Sequence, residues 1–512
     1  MPDMENKREK RHSRRKLLKL GALGGLGIAG VAALGGCGET QVVTETKIQE
    51  VVKEVPVEKV VTQIVERDRP VEVEKVVEVE RVVEKVVTQV VEKQVVVVQE
   101  KVVTVTVEAE AMTPKRPTGE VLYWNYMTNM QNIERQILSQ FELNNPDINL
   151  KAEWIPWQQY WQKLNASLNA GEGAPDVWNT APTFYYQYVD LGQLLELDAL
   201  IKRDVNVNEY WQRTLGQWRA PQGSGPFYGV PRNYVLSVIY YNKSLLDAAG
   251  AAYPDDTWTT DDLLETSLRV NNPTGDPRTT VFGFDIPGKG NRVFLDPLIY
   301  ANGGRVLNED LTECVINSEV AIDTIRWMQD LYQVHEVTPT PGFFEGLGDS
   351  FQTGRVAMAV NGSWRVGAYR PVRAFGWDVA LFPKGSQSRV TYGGPDGFVI
   401  SQQTKNAEAA WATLLHMIGD DSVISFYLEN PGMVPIKKEL ANDARYISIN
   451  PPDLRVLLRS EPYMAADFNA NYNEWQRAKT NLLDEVWLGQ KAPEDAAPEV
   501  ENAVNEILQR SN

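Results

Sequence analysis

Cysteine and histidine are scarce in this sequence of 512 residues, and basic residues are fewer than acidic ones. The two cysteines, Cys37 and Cys314, exclude a small fold held by several disulfides. Only three histidines occur, and neither His335 nor His416 has a neighbouring histidine or cysteine, which argues against a metal site. The net charge of −17 argues against a nucleic-acid-binding protein, which usually carries a basic face. We therefore expect no metal, no cofactor and no nucleic-acid partner.

Aromatic residues are absent from the first 122 positions. Without large apolar rings this part of the chain is a poor candidate for an ordinary hydrophobic core. The rest, about 390 residues, is long enough for two domains. The sequence therefore divides into a non-globular N-terminal part and a globular body.

The first 40 residues lack the long apolar run of a membrane span. Arg14 and Arg15 precede residues 20–36, which carry no charge but include seven glycines. A span needs about 20 strongly apolar residues, whereas a basic head, a mildly apolar middle and a small-residue end are typical of a signal peptide. The paired arginines predict a twin-arginine signal over residues 1–36. The G-x-G-x-x-G pattern at residues 25–30 lies inside this signal rather than in a βαβ unit, so it predicts no dinucleotide site.

Cys37 directly follows the signal. The segment Leu34-Gly35-Gly36-Cys37 resembles the lipobox of bacterial lipoproteins, in which the cysteine is lipidated and becomes the mature N-terminus. We expect lipidation of Cys37, export by the twin-arginine route and anchorage at the outer face of the cytoplasmic membrane. A diacylglyceryl anchor supplies the two chains that stable anchoring requires. The alternative is a chance cysteine in the tail of an ordinary signal.

Residues 41–110 contain 28 valines but no glycine and no aromatic residue. Valine favours extended structure, and the frequent Glu and Lys would keep such strands soluble. We interpret residues 37–118 as the lipidated cysteine, a stalk that holds the body away from the membrane, and a linker. A self-associating coil is the alternative for the valine-rich part.

The body that begins at residue 119 alternates between strand and helix patterns. Residues 120–124 and 148–154 have the composition of strands, while residues 132–143 and 158–169 have the apolar spacing of amphipathic helices. This alternation predicts an α/β architecture.

Nine short motifs follow one another along the body, and none of them is specific alone. They are Ala174-Pro175-Asp176-Val177-Trp178, Leu191-Gly192-Gln193-Leu194-Leu195-Glu196-Leu197, Tyr228-Gly229-Val230-Pro231, Ile239-Tyr240-Tyr241-Asn242-Lys243, Thr257-Trp258, Ala301-Asn302-Gly303-Gly304, Gly354-Arg355-Val356-Ala357-Met358, Asn361-Gly362-Ser363-Trp364 and Gly393-Gly394. This ordered series resembles the extracellular solute-binding proteins of family 1, which capture solutes for ABC importers. The resemblance extends over nearly the whole body.

The resemblance implies a two-lobed α/β fold of the type II periplasmic-binding-protein class, with a ligand cleft between the lobes. The chain of such a fold crosses between the lobes more than once, so each lobe is discontinuous. By matching motifs, lobe 1 is expected to comprise residues 119–233 and 393–432, and lobe 2 residues 234–392 and 433–512.

Candidate ligand-binding residues follow from the fold and from the motifs. In open α/β sheets, ligands bind beyond the carboxyl ends of strands. That rule and the expected hinges nominate Trp124, Asn125, Trp178, Asn179, Asn233 and Tyr234. The segment ending in Trp364 resembles the family's Asn-Gly-Pro-Trp, whose tryptophan stacks on a sugar, although serine replaces the proline here. The resemblance also nominates Gly394, Asp396 as an acceptor for hydroxyls, and Trp475 as a second stacking position.

The resemblance implies capture of a sugar or oligosaccharide by lobe closure and its delivery to the transmembrane subunits of an ABC permease. We expect a monomer. We also expect no enzymatic activity, because the body contains no G-x-S-x-G, H-E-x-x-H or P-loop pattern. One alternative is a receptor for a non-sugar solute, such as a glycerol phosphate, a polyamine or an iron chelate. A second is a secreted glycoside hydrolase, which needs two carboxylates about 5–10 Å apart.

Overall fold

A computed structural model describes residues 116–287 and 291–510, together with the strands Val90–Val91 and Gln94–Val95. The predicted signal peptide, the predicted lipidation site Cys37 and the predicted spacer, apart from those two strands and residues 116–118, lie outside the described residues. The chain divides into two compact units, residues 1–113 and residues 114–512. In the first unit, the two short strands pair with each other in antiparallel orientation.

Strands and helices alternate along the second unit, as the sequence predicts. The strands are β1 (Val90–Val91) and β2 (Gln94–Val95) of the first unit, then β3 (Gly119–Asn125), β4 (Ile148–Trp154), β5 (Val177–Thr180), β6 (Gly229–Asn242), β7 (Phe282–Asp285), β8 (Val356–Gly362), β9 (Trp377–Ala380), β10 (Thr391–Ile400), β11 (Val434–Pro435) and β12 (Met464–Ala465).

The described helices all belong to the second unit. They are α1 (Gln131–Asn144), α2 (Trp157–Ala170), α3 (Pro182–Asp190), α4 (Asp198–Asp204), α5 (Gln212–Gly216), α6 (Lys243–Ala248), α7 (Thr260–Val270), α8 (Asp296–Ala301), α9 (Glu319–Gln333), α10 (Val366–Tyr369), α11 (Ala407–Ile418), α12 (Asp420–Glu429), α13 (Lys438–Ala441), α14 (Ala444–Ile447), α15 (Arg455–Ser460), α16 (Tyr472–Trp487) and α17 (Pro493–Gln509). Within the described ranges, none of these helices has both the length and the hydropathy needed to cross a membrane.

Local chemistry explains where the first elements begin and end. The sequence predicts a strand over 148–154 and a helix over 158–169, and the structure has β4 over the same seven residues and α2 from Trp157 to Ala170. The helix ends because Gly171 has φ of 71°, a left-handed conformation that glycine adopts without steric cost. Four apolar residues at helical spacing, among them Leu164 and Leu168, are buried on one face of α2.

Ten strands form one mixed sheet in the order β4-β3-β5-β10-β6-β8-β7, with β9 and β11 also on β6 and β12 on β10. The strand β3 runs parallel to β4 and β5, whereas β10 runs antiparallel to β5 and β6. Parallel neighbours need crossover connections, and helices supply them here. The predicted α/β architecture is confirmed.

The long strand β6 changes its main partner partway along. Residues up to Leu236 pair with β10, and Ser237 to Tyr241 pair with β8, both in antiparallel orientation. All fourteen residues of β6 are buried. A single strand therefore belongs to both halves of the sheet.

Buried apolar side chains form two clusters around the sheet. One contains Val121, Trp178 and Phe398, and the other contains Leu236 and Tyr240. Cys314 is a buried free cysteine, as expected for a small apolar side chain. Burial raises the pKa of its thiol to about 11, which makes the thiolate rare at neutral pH.

Candidate functional site

A cavity of about 400 Å³ lies where several chain segments leave the sheet. Small-molecule sites commonly have volumes of about 300–1,000 Å³, so this cavity suits a small ligand. Tyr126 and Met127 follow the last residue of β3, Pro182 and Thr183 follow β5 closely, and Trp364 follows β8. The carboxyl ends of three strands thus supply its walls, as the rule for open α/β sheets predicts.

Trp364 lines this cavity and is held by the motif that precedes it. It lies in a short 3-10 turn, Ser363–Arg365, directly after β8. A Cβ atom at Gly362 would lie 2.1 Å from carbon atoms of the Trp364 indole, so only glycine leaves room for the ring. The Ser363 hydroxyl accepts a hydrogen bond from the Leu236 amide (3.3 Å), which ties the motif to β6. The indole is half-buried, leaving part of it open to the cavity.

Tyr126 and Trp157 add a second aromatic part to the wall. Their ring centroids are 4.9 Å apart and the rings meet edge to face. Trp157 is the first residue of α2 and is 37% exposed. Behind them, Trp161 stacks on Phe184 with centroids 3.7 Å apart. Exposed indole and phenol faces on a rigid aromatic cluster can contact the C–H faces of a ligand ring.

Asp396 is the one carboxylate among the described residues that line the cavity. The Tyr126 hydroxyl donates to Asp396 Oδ1 (3.1 Å), and the Asn233 amide donates to Oδ2 (3.4 Å). A β-bulge between Asp396 and Gly397 interrupts the register with β6, and bulges of this kind re-aim side chains next to sites. Burial raises the pKa of Asp396 to about 6, although the hydrogen bonds from Tyr126 and Asn233 oppose the shift.

Two further buried polar atoms in the wall lack a hydrogen-bond partner within the described part of the chain. They are Thr183 Oγ1 and Asn430 Oδ1. Buried polar groups are nearly always paired, so unpaired atoms at a cavity wall indicate a place for ligand hydroxyls or ordered water.

The structure brings four of the sequence-nominated residues together at this cavity. Trp364 and Asp396 line it, and Asn233 donates to the Asp396 carboxylate. Gly394 lies beside the wall residue Pro182, because a Cβ atom there would be 3.0 Å from Pro182 Cγ. The absence of a side chain at Gly394 therefore lets the chain after β5 approach β10.

Six other nominated residues are buried away from the cavity wall, so their contact with ligand stays a prediction. The Asn125 amide donates to Glu134 Oε2 (2.6 Å), and the Trp475 indole donates to Asn469 Oδ1 (3.1 Å). The Asn179 amide has no partner among the described residues. The six are Trp124, Asn125, Trp178, Asn179, Tyr234 and Trp475.

Sequence reasoning missed four wall residues that carry ring or charge, namely Tyr126, Trp157, Arg292 and Tyr392. Two of them had a usable signal. Tyr126 immediately follows the nominated residues at the end of β3. Trp157 and Trp161 lie on one helix face at i and i+4. Together they present more aromatic surface than a single contact with the core needs.

No group of three or more His, Cys, Asp or Glu side chains that could hold a metal ion occurs in the ranges the structure describes. The chemistry on the wall is aromatic faces, one carboxylate, amide and hydroxyl groups, and one guanidinium. Such a set can bind a polar ring compound by stacking and hydrogen bonding.

The chain matches a family model described as bacterial extracellular solute-binding protein over residues 124–423. It is 25% identical over 387 residues to a binding protein of Brucella abortus (strain 2308), which covers 73% of this chain and 89% of that protein. It is 24% identical over 238 residues to the arabinooligosaccharide-binding protein of Bacillus subtilis (strain 168), which covers 46% of this chain and 52% of that protein.

A solved structure has the same fold. The ABC substrate-binding protein of Listeria monocytogenes, in complex with cycloalternan, has a TM-score of 0.68 and 24% identity, covering 77% of this chain and 99% of that chain. This likeness confirms the expected two-lobed α/β fold.

Proposed function

Because the chain belongs to the family of bacterial extracellular solute-binding proteins, we propose that it captures a sugar or oligosaccharide for an ABC importer. The observation that carries this proposal is the cavity in which Trp364, Tyr126 and Trp157 present aromatic surface beside the Asp396 carboxylate. The sugar-binding relatives named above support the same ligand class.

The cavity wall offers what a pyranose needs. Aromatic faces contact the apolar C–H face of the ring, while Asp396 accepts hydrogen bonds from hydroxyls. Thr183 and Asn430 provide polar atoms without partners within the described ranges. Closure removes water from these groups, so any group that does not pair with the ligand makes binding less favourable.

We propose lobe closure as the mechanism, with a hinge where β6 runs from one half of the sheet to the other. The partner change between Leu236 and Ser237 supports a crossing close to the expected lobe boundary at residues 233 and 234. A ligand that contacts both lobes shifts the population toward the closed form. The closed form would then dock on the permease and release its ligand.

The N-terminal sequence indicates where in the cell this receptor acts. We propose that Cys37 is lipidated, that the valine-rich segment is a stalk, and that export uses the twin-arginine route. The body would then act as a monomer at the outer face of the cytoplasmic membrane.

The same cavity favours binding over catalysis. Glycoside hydrolysis normally uses two carboxylates that flank the scissile bond, about 5–10 Å apart. Asp396 has no second carboxylate beside it among the described wall residues. We therefore propose a receptor without hydrolytic activity.

A thermal-shift screen tests the proposed function. The purified protein is heated with mono- and oligosaccharides, and with polyamines and sugar phosphates as comparison ligands. A ligand at 100 times its Kd adds about 2.7 kcal/mol to the free energy of unfolding. We expect a rise in Tm with at least one sugar and no appearance of hydrolysis products. A rise only with a polyamine would support the non-sugar alternative and contradict ours.

Sugar affinity is expected to fall as the pH decreases through about 6. Ligand hydroxyls that donate to Asp396 favour the carboxylate over the carboxylic acid, so ligand binding lowers the Asp396 pKa. At pH 5 the empty protein must first lose a proton from Asp396, which should weaken binding about tenfold relative to pH 7. Calorimetric titrations at both pH values measure the difference.

The variant Asp396→Asn is the control for this pH effect. It cannot titrate, so its affinity, although lower, should be the same at pH 5 and pH 7. In the empty wild-type protein, stability depends on pH in the opposite direction to ligand affinity. Because its pKa is raised, Asp396 lowers the free energy of unfolding as pH rises from 3.8 to about 6. Equal wild-type affinity at the two pH values would refute the role given to Asp396.

A further inference from the structure

Arg292 is a cation in the cavity wall that the sugar-binding proposal does not use. Its guanidinium has no hydrogen bond or ion pair within the described ranges, and its one ring contact is with Tyr392, whose centroid lies 5.7 Å from Cζ. A partly buried charge without a partner is costly, so proteins seldom keep one unless a ligand pairs with it.

The acidic residue nearest to Arg292 in the sequence, Asp296, already forms an ion pair with another cation. Asp296 accepts a hydrogen bond from Gln476 Nε2 (2.5 Å) and forms a buried ion pair with Lys479. Asp396, the carboxylate of the cavity, is bonded to Tyr126 and Asn233 instead, and no ion pair joins it to Arg292 in the described structure. The positive charge of Arg292 is therefore free to meet an anion in the cavity.

The backbone around Arg292 is unusual. Residues Asn291–Leu295 form a single π-helical turn immediately before α8. Such turns are rare and occur frequently at functional sites. Arg292 stays protonated, since the Tyr392 hydroxyl and the Asp296 carboxylate both raise its pKa against the effect of burial.

We propose that the ligand is an acidic sugar, with Arg292 binding the carboxylate of a uronate while Asp396 accepts from its hydroxyls. This inference rests on the proposed function and narrows its ligand class. A guanidinium can bind a carboxylate with two parallel hydrogen bonds, which fixes the orientation of the sugar in the cavity. The aromatic faces of Trp364 and Trp157 would contact the sugar rings in the same way for acidic and neutral sugars.

The test compares matched pairs of sugars by calorimetry. Galacturonate, glucuronate and their dimers are titrated against galactose, glucose and the corresponding neutral dimers. We expect the preferred acidic sugar to bind at least tenfold more tightly than its neutral counterpart, with an affinity that falls as salt is added. Wild-type selectivity tests the inference even if an arginine variant fails to fold.

Two variants then assign the selectivity to Arg292. Arg292→Gln should weaken uronate binding tenfold or more and reduce the affinity for the neutral sugar by a much smaller factor, and Arg292→Lys should retain part of the preference. Arg278→Gln, which removes an exposed arginine outside the cavity wall, should change neither affinity.

The outcomes separate this inference from the proposed function. Binding of a neutral sugar in preference to its uronate would overturn the inference while the proposed function stands. A preference for glucose 6-phosphate over glucuronate would overturn the assignment of a carboxylate. The absence of binding by any sugar, acidic or neutral, would refute the proposed function and the inference together.

Discussion

Replacing Trp364 with alanine is expected to weaken sugar binding tenfold or more without unfolding the protein. Tenfold corresponds to about 1.4 kcal/mol, which is within the range of a single aromatic contact. Trp364 lies on the cavity wall and is only half-buried, so truncation removes ligand contact rather than a central part of the core. Calorimetry gives the affinity, and circular dichroism during heating gives the Tm.

Two variants control for this result. Trp364→Phe keeps an aromatic face and should retain more of the affinity than Trp364→Ala. Tyr253→Ala removes an exposed aromatic side chain that packs on Tyr241 outside the cavity wall, and should leave the affinity unchanged. If Trp364→Ala bound sugar as tightly as the wild type, stacking on Trp364 would be excluded.

Replacing Arg232 with methionine is expected to lower the free energy of unfolding by about 3–5 kcal/mol. Arg232 Nη1 lies 2.8 Å from Glu134 Oε1, and both side chains are buried. The guanidinium also lies over the Phe426 ring, with Cζ 3.7 Å from the centroid. Removing the cation leaves the Glu134 carboxylate buried and unpaired, which is the costly case for an ion pair. Denaturant titration measures the loss.

The surroundings of Glu134 explain why this pair matters to the site. Its second oxygen accepts hydrogen bonds from Asn125 (2.6 Å) and Trp154 (2.9 Å), so one carboxylate joins α1 to β3 and β4. The Asn125 side chain in turn accepts from the Met127 amide (3.0 Å), and Met127 lines the cavity. Arg232→Met is therefore expected to disturb the cavity wall as well as the stability.

A surface pair in the same chain is the matched control. Arg203 and Glu408 form an ion pair at 2.9 Å with side chains 49% and 61% exposed. Arg203→Met should cost at most about 1 kcal/mol, because water already solvates both charges. The double variant Glu134→Gln, Arg232→Met should recover part of the loss, because no charge is then left unpaired. A cost below about 1 kcal/mol for Arg232→Met would contradict this account.

The sequence predicts the secondary structure of the body closely because the spacing of its apolar residues and the positions of its element-ending residues agree. The strand over 148–154 has the bounds of β4, and α2 ends at Gly171 where a left-handed residue is needed. The sequence nominates the carboxyl ends of β3 and β5 as the ligand edge, and the cavity wall begins at the first residue after each of these strands. The location of this cavity is thus predictable from strand order and motif spacing.

The identity of the wall residues was harder to predict, because it depends on side-chain direction. Trp157 and Trp161 share a helix face in the sequence, yet Trp157 is 37% exposed and Trp161 is 8% exposed. The Asn125 amide could bond to a ligand, but it donates to the buried Glu134 carboxylate instead. The amphipathic pattern of α1 does not show that Glu134 is buried. Arg292 carries no motif, and the π-helical turn that holds it follows no simple periodicity.

The most direct test of the central claim is a crystal structure with the sugar that raises Tm most. The account predicts a sugar ring in van der Waals contact with the Trp364 indole and a hydroxyl within hydrogen-bonding distance of Asp396. A sugar bound elsewhere on the protein, with the cavity between Trp364 and Asp396 left empty, would contradict it.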